Sequence, residues 1–375
     1  MSDESSAVRW GALVLEDGAC FVGKMFGADV ESVAELVFNT GLTGYQEICT
    51  DPSYRGQMVV MTHPQIGNYG IADRVRESDR PWLSALIVRD AATEPHHWAS
   101  QSTVHTYLAD FGVPGLSEVD TRAITRRLRT KGTLRAVLTR VSHRQVTAQL
   151  QETLAERARA FTLPVLAGEV SGHTPAFATG SDGPHIAVID CGVKWSILRQ
   201  LELRGARVSA FPWDVAAETL LDSQPDGVLI ANGPGDPALL DPPVRMATRI
   251  LDKGLPLLGI CLGHQIIARA AGGETTRLPF GHHGANHPVR DERSGKVYIT
   301  SQNHEYQVAE SPQLVDAGFQ VSHRSLNDGS VEGLVHKQCP VRTVQFHPEG
   351  GPGPKDAAAI FDEFLALIRA TAEGR

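Results

Sequence analysis

Leu255-Pro256-Leu257-Leu258-Gly259-Ile260-Cys261-Leu262-Gly263-His264-Gln265-Ile266-Ile267-Ala268-Arg269-Ala270 decides how this chain reads. A short apolar run ends in Gly259-x-Cys261-x-Gly263, and a helical pattern over 265–271 follows. This is the form of a nucleophile elbow with Cys in place of Ser, in which a strand bends sharply into a helix and lifts one side chain to the apex. The flanking glycines let the backbone turn, and the positive end of the following helix favours a thiolate. Composition alone gives about 0.05 chance matches to this tripartite pattern. The plain alternative is a small buried thiol in a strand-to-helix turn.

Working outward, strand and helix patterns alternate. Strands are expected at 186–190, 208–211, 227–231 and 255–260, and helices at 195–204, 215–221, 244–251 and 265–271. Short apolar strands alternating with helices imply α/β architecture, an open, mostly parallel sheet flanked by helices. Later strands at 297–300, 331–336 and 343–346 precede a terminal helix with the apolar stripe Ile360, Phe361, Phe364, Leu365 and Ile368. Loops leaving the carboxyl ends of parallel strands share one edge, where ligands bind. Asn232-Gly233-Pro234-Gly235-Asp236, the Cys261 elbow and His347-Pro348-Glu349 all follow such strands.

The first half has a different texture. Asp17-Gly18 between two apolar runs signals a hairpin, and further strands are expected at 35–38, 58–61 and 85–88. A helix starts at the capping Asp120, carries Ile124 and Leu128 on one face and stops at Gly132. Its Arg122, Arg126, Arg127, Arg129 and Lys131 read as a solvated basic face or a partner surface. A second helix over 145–160 carries Val146, Leu150 and Leu154 at fourfold spacing. Residues 163–184 are rich in Gly and Pro and mark the domain boundary. The expected division is a smaller α+β N-terminal domain over 1–160, a linker over 161–184, and the α/β domain over 185–375.

Composition narrows the class. The 375 residues carry 35 Lys and Arg against 43 Asp and Glu, a net charge of −8, which argues against a dedicated nucleic-acid binder. Five scattered cysteines, none in a CxxC pair, support neither a disulfide framework nor a zinc knuckle. The acidic start lacks the basic and apolar regions of a signal peptide, and no apolar run approaches the roughly 20 residues that span a bilayer. A reduced, cytoplasmic enzyme is the expectation.

A thiolate nucleophile needs a proton donor for its leaving group and something to orient that donor. His347 precedes proline and is pushed to extended geometry, so His347 and Glu349 project to one side. Gly233 and Gly235 allow close backbone approach, so a main-chain N–H there can join that of Leu262 facing an oxyanion. Cys191 lacks an elbow and reads as structural. No phosphate loop is present. His282, His283 and His287 lie near one another, but no second cluster with ligand spacing accompanies them, and no metal site is expected.

Gly259-Ile260-Cys261-Leu262-Gly263-His264-Gln265 with His347-Pro348-Glu349 resembles the class I (triad) glutamine amidotransferases. The whole chain resembles the small, glutamine-hydrolysing subunits of carbamoyl phosphate synthetases, through 38–47, 50–54, 66–68, 232–237, 280–288 and 302–304. The resemblance implies a Cys261 nucleophile, a His347 acid/base and an orienting Glu349. It implies glutamine contacts at Ser53, Gly233, Gly235, Leu262, Gln265, Asn303, Glu305 and Tyr306. The family usually has Gly where Glu305 stands, and a positive φ there would make Glu305 costly. The resemblance also implies a large partner subunit that holds ATP and Mg, takes ammonia through a channel and makes carbamoyl phosphate from bicarbonate. No cofactor is expected on this chain, although higher oligomers of the pair are. A stand-alone cysteine γ-glutamyl hydrolase, the amidotransferase component of another synthase and a non-enzymatic binding module are the alternatives.

Overall fold

The computed structural model describes residues 8–173 and 182–374, so part of the Gly/Pro-rich stretch, 174–181, lies outside it. The chain forms two compact units. The first comprises Met1–Thr50, Tyr54–Arg76 and Arg80–Pro164; the second comprises Asp51–Ser53, Glu77–Asp79 and Val165–Arg375.

In the first unit the strands are β1 (Trp10–Leu15), β2 (Cys20–Gly27), β3 (Ser32–Asn39), β4 (Gln57–Met61), β5 (Gln65–Ile66), β6 (Ala85–Ile87), β7 (Asp90–Ala91), β8 (Pro114–Ser117) and β9 (Leu134–Val141). Seven close into a barrel in the order β1-β2-β8-β6-β4-β3-β9, while β5 pairs with β7. Closure depends on pairings far apart in sequence, such as β1 with β9, which local patterning does not reveal. Alternation sorts the side chains. Leu13 and Leu15 of β1 join Leu36, Met58, Val60, Ile87 and Leu138 in one core. Ala12 and Val14 face the other way, onto the helix Ala148–Ala160.

Two helices were expected here. Thr121–Lys131 starts at Asp120, whose side chain accepts from the Ala123 N–H, and buries Ile124 and Leu128. Of its basic residues, Arg127 and Lys131 pair with Asp17 at 2.6 and 2.9 Å. The second helix differs from the fourfold reading. It begins after Thr147, so Val146 precedes it, and Leu150 is 38% exposed while Leu154, Ala155 and Ala158 are buried. Small alanines let that face lie close to β1 and β9, so the fourfold apolar spacing misplaced it.

The second unit contains β10 (His185–Asp190), β11 (Arg207–Pro212), β12 (Gly227–Ile230), β13 (Leu257–Ile260), β14 (Thr275–Asp291), β15 (Val297–Val308), β16 (Phe319–Ser325), β17 (Val331–His336) and β18 (Val341–Val344). They form one sheet in the order β11-β10-β12-β13-β18-β17-β15-β14-β16. The first five run parallel. The other four are antiparallel, and β16 pairs back onto β17. The mostly parallel reading therefore describes five strands of nine. The long β14 escaped it because Gly281, Gly284 and Pro288 interrupt any alternation, and its ladder with β15 shifts register twice.

The parallel strands bury both faces. Ala187, Ile189, Val228, Ile230 and Leu257 pack with Ile250, Ile266 and Ile267. Ile186, Val188, Leu229, Leu258 and Ile260 pack with Phe361, Phe364 and Ile368 of the terminal helix Ala359–Glu373. Within the expected linker, Ala167–Val170 is a short helix with Ala167 and Val170 buried. No helix among the described residues is long and apolar enough to cross a membrane.

Candidate active site

Because β10, β12, β13 and β18 run parallel, their carboxyl ends lie on one edge of the sheet. Cys261 follows β13 there, as the residue that opens the helix Leu262–Ala270. Its backbone holds φ 54° and ψ −105°, a conformation L-residues rarely adopt. Neither Gly259 nor Gly263 has a positive φ. The turn's strain sits on the cysteine, and the glycines serve contact instead. An added Cβ at Gly263 would stand 2.0 Å from the Ile230 carbonyl oxygen, and one at Gly259 would stand 2.7 Å from Gly263. The Cys261 N–H donates to the Val344 carbonyl at 2.8 Å, tying the elbow to β18.

His347 leaves β18 and is fixed by its N–H donating to the Ser301 carbonyl at 2.9 Å. Its Nδ1 lies 2.7 Å from Glu349 Oε1. The same oxygen accepts from Lys194 Nζ at 2.7 Å, and that ammonium also donates to the Gly351 carbonyl. His347, Glu349 and Lys194 are each at most 2% exposed. His347 Nε2 makes no hydrogen bond of standard geometry. The Cys261 sulfur adjoins the ring closely enough to stabilise its protonated form.

The charges form a chain. Burial alone would raise the Glu349 pKa, but the Lys194 ammonium and then His347 hold it well below the usual carboxylate range. Burial likewise opposes charge on His347, but the Glu349 carboxylate outweighs it and lifts the imidazole above its ordinary value. A proton taken from the thiol is thus stabilised on the ring.

Several of the residues expected from the sequence to contact glutamine bond to this elbow or to residues near it. Asn303, in β15, offers its carbonyl to Cys261 Sγ at 3.5 Å, while its side-chain amide donates to Asp51 Oδ2 at 2.8 Å. Ser53 Oγ accepts from Asn232 Nδ2 at 2.9 Å. Gln265 Nε2 donates to the Tyr306 carbonyl at 2.8 Å. An added Cβ at Gly233 would lie 2.1 Å from the Cys191 carbonyl and 2.9 Å from Leu262, so the loop after β12 abuts the elbow; Gly235, at φ +95°, turns that loop. Cys191 is fully buried and its thiol is pushed up by burial, which suits an inert residue.

Sequence reading missed Lys194, Asp51 and Asn232 as positioning residues. Lys194 follows β10, so the strand-end rule that found the other three loops also points to it. Asp51 lies far away in sequence, and no spacing rule would have paired it with Asn303.

Two family models match the chain. Residues 187–367 match glutamine amidotransferase class-I, and residues 13–138 match carbamoyl-phosphate synthase small chain, CPSase domain. The carbamoyl phosphate synthase small chain of Symbiobacterium thermophilum is 46% identical over 356 residues, covering 94% of this chain and 97% of its own. That of Bacillus caldolyticus is 47% identical over 357 residues, covering 95% and 96%. That of Listeria monocytogenes serotype 4b is 44% identical over 362 residues, covering 96% and 98%. The chain belongs to the carbamoyl phosphate synthase small chain family.

As a small chain of this family it carries Glu305 without backbone strain. Among the described residues, positive φ outside glycine occurs at Glu118, Gln224 and Cys261. Glu305 sits in β15, where its carboxylate meets His283 Nε2 at 2.7 Å and Arg277 at 3.3 Å. The next residue, Tyr306, lies under the Arg277 guanidinium, 5.7 Å from the ring centroid.

Proposed function

We infer that this small chain hydrolyses the side-chain amide of glutamine and delivers the ammonia to a large, ATP-dependent subunit that makes carbamoyl phosphate from bicarbonate. The observation that carries the reading is the strained Cys261 beside a buried His347–Glu349 pair. His347 takes the thiol proton, and the sulfur attacks the γ-carbonyl. Main-chain N–H groups of the Gly233–Gly235 loop and Leu262 face the oxyanion. Collapse of the tetrahedral adduct breaks the C–N bond, and the imidazolium protonates the departing ammonia. Water, giving its proton to His347, then cleaves the γ-glutamyl thioester and releases glutamate.

Ser53, Gln265, Asn303, Glu305 and Tyr306 are assigned to glutamine binding. The domain reading is an N-terminal domain over 1–160, a linker over 161–184 and an amidotransferase domain over 185–375. The parallel strands with helices on both faces support that fold class. ATP and Mg belong to the partner in this reading, and the hydrolysis of glutamine uses no cofactor on this chain. Five free cysteines support a reduced, cytoplasmic setting, and carbamoyl phosphate would feed arginine and pyrimidine synthesis. The family match does not favour a stand-alone hydrolase.

Cys261→Ala, assayed together with the large subunit, is the test. Glutamine-dependent carbamoyl phosphate synthesis should vanish while ammonia-dependent synthesis persists. Retained use of glutamine would reject the assignment.

A further inference from the structure

Strand β15 has two chemical faces. The side chains of Asn303 and Glu305 share one side, where both meet His283, and by the twofold period of a strand Gln302 and His304 point to the other side. There they meet His282 of β14 and Glu332 of β17. His282, His304 and Glu332 are buried, and each presents a ligand atom within 4.8 Å of the others. The sequence expectation of no metal site rested on linear spacing, and strand pairing supplies the partners that spacing could not.

The hydrogen bonding of this cluster leaves a mismatch between His304 and Gln302. His304 Nδ1 lies 2.7 Å from the Tyr306 carbonyl oxygen, which can only accept, so Nδ1 carries the hydrogen. In the neutral ring Nε2 is then a bare lone pair, yet it faces Gln302 Oε1 at 3.0 Å. Turning the Gln302 amide over instead sets its Oε1 against Glu332 Oε2 at 2.8 Å, a contact that needs a hydrogen on that carboxyl. With the amide as placed, two buried acceptors face each other, an arrangement that a cation between the side chains would relieve.

His282 adds an unpartnered ring nitrogen. Its Nδ1 is buried without a hydrogen-bond partner and lies 3.6 Å from Glu332 Oε1, too far for a good hydrogen bond. Ligands around a tetrahedral ion with bonds near 2.05 Å stand about 3.3 Å apart, so this gap is close to the edge of such a site. The other ring nitrogen, Nε2, is held by Asp328 Oδ2 at 2.8 Å. A carboxylate on the far nitrogen of a histidine is the usual support of a metal-binding imidazole.

We propose that His282 Nδ1, His304 Nε2 and the Glu332 carboxylate form a binding site for a divalent cation of the zinc class, with Asp328 orienting His282. Two imidazoles and one carboxylate are a borderline donor set that suits Zn²⁺ over Mg²⁺ or Ca²⁺. The Gln302 carbonyl oxygen is placed to complete the shell. Such an ion would pin β14, β15 and β17 together behind the strand that carries Asn303 and Glu305. This is a structural role, independent of the glutamine chemistry.

The test uses the full-length, tag-free chain on a Cys261→Ala background, which removes the active-site thiol as a competing ligand. The chain is stripped with chelator, checked for retained fold by circular dichroism, and titrated with Zn²⁺ and with Co²⁺ as a spectroscopic probe. One equivalent per chain should bind, with visible Co²⁺ absorption of a low-coordinate nitrogen and oxygen site. Glu332→Gln and His282→Gln should each remove that equivalent. Asp328→Asn, on a side chain 39% exposed, should keep it but weaken affinity about 10- to 100-fold. A folded parent chain that binds neither ion would overturn the proposal. So would an equivalent that survives both ligand substitutions.

Discussion

At Cys261 a non-glycine residue holds a backbone conformation costing about 1–3 kcal/mol, and the sulfur is what that cost secures. Replacing the residue by Ala removes the sulfur and keeps the strain; replacing it by Gly removes both. Cys261→Gly is therefore expected to be more stable than Cys261→Ala by about 1 kcal/mol, although both lack glutaminase activity. Paired urea denaturation curves measure the difference, and equal midpoints would show that the elbow carries no strain. Lys194 gives a second residue-scale expectation. Lys194→Met leaves the Glu349 carboxylate buried without its ammonium, at a cost of about 3–5 kcal/mol near neutral pH. Glu349 has a depressed folded pKa. Its contribution to stability is fully present above the unfolded value of about 4.3 and is lost as pH falls through the depressed value. His347 is the opposite case, raised in the fold; its contribution is present below about 6.5 and is lost as pH rises through the elevated value. Removing Lys194 shrinks the Glu349 depression, so the acid limb of the stability profile should move to higher pH. Unfolding at stepped pH from 3 to 7 would read that shift, and superimposable profiles would rule it out.

Among the elements, the helix Ala148–Ala160 separates spacing from burial. Leu150→Ala should change stability by less than about 0.5 kcal/mol, whereas Leu154→Ala, 2% exposed in the parent, should cost about 2–5 kcal/mol. Thermal melts of the two variants would distinguish the observed face from the fourfold pattern. The helices with a polar cap at the start, such as Asp120 before Thr121–Lys131, were legible because capping is local chemistry. So were the parallel strands, whose apolar runs are bounded by glycine and polar turns. The strand β14 was not legible, since its glycines and histidines obey pairings made with β15 and β16 rather than any period of their own. The elbow and His347-Pro348-Glu349 could be read because each is compact in sequence. The links from Glu349 to Lys194 and from Asn303 to Asp51 span 155 and 252 residues, so only folding reveals them.

At the scale of the molecule, sequence order and spatial grouping part company. Residues 51–53 and 77–79 come from the first 80 residues, yet they belong to the unit that carries Cys261. Asp51 and Ser53 accept from the amides of Asn303 and Asn232, and Glu77 accepts from the Ser196 N–H at 3.0 Å. Expressed alone, 165–375 would lack all three acceptors, and each buried donor left unmet costs about 1–3 kcal/mol. Such a fragment should melt well below the intact chain in calorimetry, and a matching midpoint would show that the two short segments are dispensable. For anyone recombining these genes, no single crossover near the middle yields a transplantable glutaminase: the cassette has to carry two small islands of upstream sequence along with it.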